Sequence, residues 1–159
     1  MRIADMHCDT VSRVYYALKS GKQTGMWDND FSVDFKRMKE AGYLMQFFAC
    51  FVNKMKAKDI TADALGMVKL LKSEIDKHSD IIGLVRSSDD IRRNIADNRM
   101  SALLTLEEGG VLGGSIDRLH EFHEEGVRLI TLTWNYENEI GYPNICLLYT
   151  SDAADDMQC

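Results

Sequence analysis

The sequence predicts an α/β fold built on a parallel sheet, and three observations carry that prediction. Short apolar runs alternate with amphipathic stretches of helical period from residue 1 to about residue 134. The run "YLMQFFACFV" is apolar without interruption, as in a strand covered on both faces. Glycines stand where helical stretches stop, as at Gly21 and Gly42.

Taken in order, "RIADMH" opens as a strand and "SRVYYALKS" follows as a helix closed by Gly21. "VDFKRMKEAG" is a second helix ending at Gly42, and "YLMQFFACFV" is the second strand. In "TADALGMVKLLKSEIDKHSD" the residues Leu65, Val68, Leu71 and Ile75 recur at steps of three and four, the signature of one buried helix face, with Thr61 as the expected N-cap. "IIGLV" is the third strand, and "SSDDIRRNIADN" is a short helix with acids in its first turn, where they oppose the positive end of the helix dipole. "SALLTLEE", "SIDRLHEFHEEG" and "VRLITLTW" complete the series as strand, helix and strand. Five strands with helical crossovers suit either a doubly wound sheet or part of a (β/α)8 barrel, and periodicity does not separate them.

The bulk properties narrow the function. At 159 residues, 45% of them hydrophobic and 28% charged, the chain suits one soluble domain with a real core. It contains no apolar run near the ~20 residues of a membrane span and opens without a secretory signal, so a cytoplasmic setting without membrane attachment is expected. The formal net charge is -6, and the 19 Lys and Arg are scattered among 25 acids, which excludes the basic stripe of a nucleic-acid binder. Cys8, Cys50, Cys146 and Cys159 follow neither a metal nor a disulfide spacing and read as reduced thiols. Cys8 lies between two potential ligands, but strand alternation is expected to turn it away from them.

Chemistry concentrates in three stretches. In "IADMHCDTVS", Asp5, His7 and Asp9 stand two apart at the end of a strand, the donor set of a borderline divalent cation, and ligand sites in α/β folds lie at the carboxyl ends of strands. The alternative is a solvated polar strand end. In "LLTLEEGGVLGG", Glu107 and Glu108 close an apolar strand, and Gly109 and Gly110 are expected to let the backbone turn. The glycine spacing matches no phosphate-binding loop. In "LITLTWNYENEIGYPN", a strand ending in Trp134 and Asn135 would add an aromatic wall and an amide at the same rim, with core packing as the plainer reading of the tryptophan. "HEFHE" places His120 and His123 three apart, one short of the spacing in a zinc-peptidase helix, so both read as solvated. His78 stands alone near a helix end, where a cation favours the dipole.

Together "ADMHCDT", "ALLTLEEGG" and "VRLITLTWN" followed by "NE" resemble, in order and spacing, the membrane dipeptidase (renal dipeptidase) family in its bacterial, unanchored form. The resemblance spans residues 1 to about 145. It implies a (β/α)8 TIM barrel, here truncated after about five strands, with two zinc ions at the C-terminal mouth and dipeptides as substrates. It places His7 and Asp9 among the ligands of one zinc and Glu108 on the carboxylate bridging both, and it carries over neither Asp5 nor Glu107. Trp134 stands where animal relatives have a substrate-holding histidine, and with Asn135 it is the expected substrate-binding rim. Two further histidine ligands, a substrate-clamping arginine and the general-base aspartate are expected beyond the end of this chain, which predicts an inactive fragment and leaves a homodimer of the complete protein open. The tail "CLLYTSDAADDMQC" resembles the in-frame translation of a transposase-type sequencing adapter. The chain is therefore expected to divide into a partial barrel domain, 1–145, and a non-native segment, 146–159. Two other readings stay open. One is a different metal-dependent amidohydrolase on the same barrel, whose usual first-strand H-x-H has Asp9 in its second place here. The other is a non-catalytic α/β binding module.

Overall fold

The computed structural model describes residues 2–143. The expected non-native segment 146–159, with Cys146 and Cys159, lies outside the described residues. Within them the elements run β1 (Ile3–Cys8), α1 (Thr10–Lys19), α2 (Phe35–Ala41), β2 (Tyr43–Phe51), α3 (Ile60–Lys77), β3 (Ile82–Val85), α4 (Ser88–Ala96), β4 (Met100–Glu107), a 3-10 turn (Gly109–Leu112), α5 (Ile116–Glu125) and β5 (Val127–Thr131).

All strand pairs are parallel, but their lateral order is not their chain order. β2 lies between β1 and β4, and the far edge of β4 is shared by two strands. β3 pairs with the first half, Ile82 opposite Met100 to Val85 opposite Leu103. β5 takes the second half, Leu104 opposite Val127 to Glu107 opposite Thr131. The physical reason is length: four residues of β3 cannot cover an eight-residue neighbour, so the upper part of the edge is left for β5. Among the described strands β1, β2, β4 and β5 therefore reach the C-terminal rim.

One face of the sheet is closed by helices. Val11 and Val14 of α1, Phe35 and Met38 of α2, and Ala64, Met67, Val68 and Leu71 of α3 pack on Phe48, Cys50, Leu104 and Leu106, all within 1% of full burial. The expected α3 face is in place, with Leu65 at its margin. Its cap is Asp59 rather than Thr61: the Asp59 carboxylate accepts from Ala62 N at 2.9 Å, while the Thr61 hydroxyl donates to Val111 O at 2.7 Å and ties α3 to the 3-10 turn. His78 caps the other end of α3 and packs against the rings of Trp27 and Phe35. His120 and His123 are exposed. The opposite face of the sheet is open, with Met6 64% exposed.

α2 is secured by a buried charge. Asp34, fully buried, caps the helix through Arg37 N at 2.8 Å and accepts from Arg37 Nε at 2.7 Å. Burial opposes its charge, but the Arg37 side chain and backbone and the Asn29 N–H outweigh it and hold the carboxyl below its ordinary range. A lowered folded-state pKa contributes stability that is complete above the unfolded value of about 3.9 and is lost as pH falls through the folded value. Asp34→Asn is expected to flatten this acid limb, read as the urea midpoint between about pH 3 and pH 7. An unchanged pH slope would remove Asp34 from the account.

Candidate metal centre

The rim site begins with an irregularity in β1. Asp5 pairs with Gln46 and Cys8 with Phe48, so three steps on β1 face two on β2, with a bulge between. The bulge breaks the alternation that would have aligned Asp5, His7 and Asp9. Asp5 falls on the same face as Cys8, and its carboxylate accepts from His7 N at 3.2 Å, bracing the bulge from within. Cys8 is buried as expected, and burial pushes its thiol up to about 11, so no thiolate is offered at neutral pH.

Asp9 follows at the N-cap of α1, yet its side chain makes no capping hydrogen bond. Its Oδ1 lies 3.4 Å from His7 Nε2 instead. The third member comes from β4: Glu107 Oε2 is also 3.4 Å from His7 Nε2. One donor atom from each of His7, Asp9 and Glu107 lies within 4.8 Å of the other two. Tetrahedral zinc with N and O bonds of 2.0–2.2 Å needs donor separations of roughly 3.3–3.6 Å. The donor set and both measured edges therefore fit a divalent cation. Burial pushes the Glu107 carboxyl up, His7 pulls it down, and the adjoining Asp9 carboxylate pushes it up again, with the net shift upward.

Glu108, the ligand expected from the sequence, follows directly, and its Oε2 is buried without a hydrogen-bond partner among the described residues, as an oxygen awaiting a cation would be. The strained backbone of the turn falls on Glu108 itself, with φ 126°, and neither Gly109 nor Gly110 has a positive φ. The Glu108 side chain is fully buried. There Oε1 accepts from Gly110 N at 2.8 Å and from Asn138 Nδ2 at 2.7 Å. The two glycines serve close approach instead: a Cβ on Gly109 would stand 2.5 Å from Leu132 O.

Trp134 and Asn135 do not end a strand. β5 stops at Thr131, because Leu132 O turns to accept from Asn138 Nδ2 at 2.8 Å. Trp134 lies on the loop that follows, half-buried and edge-on to Phe51 with ring centroids 4.7 Å apart. Phe51 is the register partner of Glu107, so the tryptophan flanks the strand end that carries the triad's third donor. Asn135 is exposed. Sequence reasoning missed Asn138, a buried asparagine within "YENE" whose role depends on contacts 30 residues away.

Comparison with known proteins follows the same lines. Residues 1–144 match the family model described as membrane dipeptidase (peptidase family M19). An uncharacterized protein in the PQQ-III 3' region of Acinetobacter calcoaceticus is 27% identical over 128 residues, which cover 69% of this chain and 41% of that one. Dipeptidase AclJ of Aspergillus oryzae is 28% identical over 116 residues, covering 67% and 28%. Among solved structures, a dipeptidase described as a metallopeptidase of family M19 superposes with a TM-score of 0.73 at 24% identity, covering 85% of this chain and 43% of its own. A metallopeptidase from Rhodobacter sphaeroides, solved with a phosphinate mimic of the dipeptide L-Ala-D-Ala, gives 0.72 at 22% identity, covering 86% and 47%. The chain thus spans less than half the length of each of these relatives.

Proposed function

The chain belongs to the membrane dipeptidase family, peptidase family M19, and from that premise we propose that it carries the first part of the active site of a zinc-dependent dipeptidase. The observation that supports this most directly is the convergence of His7, Asp9 and Glu107 at the ends of β1 and β4. In this proposal those three residues hold one divalent cation. The complete protein would hold two zinc ions, with the remaining ligands, the substrate-clamping arginine and the general-base aspartate supplied by later sequence. Glu108, whose buried Oε2 has no hydrogen-bond partner among the described residues, is proposed as the carboxylate that would be shared by both ions, as the sequence resemblance implies.

A cation bound there would supply Lewis acidity to a peptide carbonyl and lower the pKa of an attacking water. The chain's own residues hold and shape the site. Asp5 fixes the His7 backbone through the bulge. Trp134 and Asn135, on the rim loop, would bound the dipeptide on one side, the ring limiting water access. Segment 146–159 belongs in this reading to no part of the domain, in keeping with a family match that ends at residue 144. Among the described residues no helix is long and apolar enough to cross a membrane. We take the protein to work in the cytoplasm, on the strength of its cysteine usage.

Among the described residues no strand pairs the outer edges of β1 and β5, and we propose that the 159-residue chain binds zinc without cleaving dipeptides. The test is zinc content and hydrolysis of a simple dipeptide, measured on this chain and on the chain continued with its natural downstream sequence. About one zinc on the former and about two on the latter, with activity only in the latter, is the expected pattern. Zinc absent from both would favour the non-catalytic binding module and end the peptidase reading. Dipeptide hydrolysis by the 159-residue chain would refute its proposed inactivity.

A further inference from the structure

A cavity of about 980 Å³ opens beside the metal triad, where α1, α3 and the loop 52–59 meet. We infer that this cavity is the subsite for an acidic side chain of the substrate, so that dipeptides containing Asp or Glu are preferred over their amide counterparts. The assignment to substrate rests on the dipeptidase reading above, whereas the cationic character of the cavity does not.

Position comes first. Asp9, a member of the triad, and Phe51, which meets Trp134 edge-on, both line the cavity, so its mouth lies at the metal rim. From there it follows one stripe of α1, since Asp9, Arg13 and Tyr16 stand four and three residues apart and share a helix face. Arg13 is one turn beyond Asp9, about 6 Å of axial rise. A peptide held at the triad would therefore meet the near end of the cavity with a side chain.

Charge decides what enters. Each carboxylate lining the cavity is committed: Asp9 to the triad, Asp59 to the cap of α3 through Ala62 N, and Asp63 to Lys19 at 2.6 Å and the hydroxyls of Tyr15 and Tyr16 at 3.0 and 3.3 Å. The remaining cations are not. Among the described residues the side chains of Arg13, Lys56 and Lys58 make no hydrogen bond and no ion pair. Arg13 rests over the ring of Phe31, 5.3 Å from its centroid, which orients the guanidinium and leaves its N–H groups unspent.

The two lysines come from "NKMKAKD", a stretch to which metal binding gives no role. There Lys54 Nζ donates to Glu137 O at 2.8 Å and ties the loop to the rim that carries Trp134. Asn53 O accepts from Lys56 N and Ala57 N, both at 3.0 Å, and the resulting turn holds Lys56 and Lys58 along the cavity. The unspent groups named here are thus all donors with positive charge, in a chain whose net charge is -6. Their complement is a carboxylate, which accepts from a guanidinium and from ammonium groups. All three cations are exposed, so water and salt screen each contact, and together they are expected to supply a preference of about tenfold.

The test compares Ala-Glu with Ala-Gln, which differ by one charge and little in shape. On the isotope-labelled 159-residue chain at low salt, Ala-Glu should shift the amide resonances of segments 9–19 and 51–63 at about tenfold lower concentration than Ala-Gln. On the chain continued with its natural downstream sequence, kcat/KM should favour Ala-Glu by about tenfold, and the preference should fade by about 0.5 M salt. Arg13→Gln combined with Lys56→Ser and Lys58→Ser should bring both ratios below about twofold, with an unaltered urea midpoint as the check on folding. No preference for Ala-Glu in the parent chain, or a preference undiminished in the triple variant, would overturn the subsite. Glutarate shifting the same resonances while Ala-Glu and Ala-Gln stay indistinguishable would give the cavity to a free dicarboxylate and overturn it as well. A charge-dependent preference in binding that persists where both chains bind no zinc and cleave nothing would sink the dipeptidase reading and leave the cavity standing as an acidic-peptide site.

Discussion

Glu107→Gln is expected to weaken zinc binding by at least about a hundredfold, and Glu108→Gln by at least about tenfold. Glutamine keeps the shape of the Glu107 side chain but replaces an anionic donor with a neutral amide oxygen. That leaves His7 and Asp9 to hold the cation with one negative charge fewer. In Glu108, Oε1 is engaged by Gly110 and Asn138, while Oε2 is buried without a hydrogen-bond partner among the described residues and is the atom left to ligate. Competition with a chromogenic chelator measures both constants. The affinity should fall as pH is lowered, since the upward-shifted Glu107 carboxyl must release its proton to bind. Native zinc affinity in Glu108→Gln would take Glu108 out of the ligand set.

Phe48→Ala is expected to cost about 3–5 kcal/mol of stability, against less than about 0.5 kcal/mol for Met6→Ser. Phe48 is fully buried at the middle of β2, opposite Cys8 on one side and Leu104 on the other. Its ring meets Phe35 edge-on with centroids 5.9 Å apart, joining the sheet to α2. Truncation removes that contact and leaves a cavity between the sheet and α2. Met6 is 64% exposed on the open face, so its loss removes little packing. Urea unfolding followed by circular dichroism gives both values. A Phe48→Ala cost below about 1 kcal/mol would mean that the helix-covered face is not packed as described.

The alternation of strands and helices, the α3 core face and the burial of Cys8 were legible in the sequence because each depends on the period of neighbouring residues. What no local pattern carries is the approach of Glu107 to His7 at 3.4 Å, and the seating of Glu108, at φ 126°, against Asn138 from 30 residues away. Asp5 was separated from His7 and Asp9 by a bulge, which depends on how β1 registers against β2 rather than on its own residues. Trp134 left its strand because Leu132 O was claimed by a side chain six residues on. The sequence by itself determined the element order and the residue types gathered at the rim, since period and composition are local properties. The tertiary structure alone decided strand order, the facing of each carboxylate and the seat of the rim loop, because these follow from contacts between segments far apart in the chain.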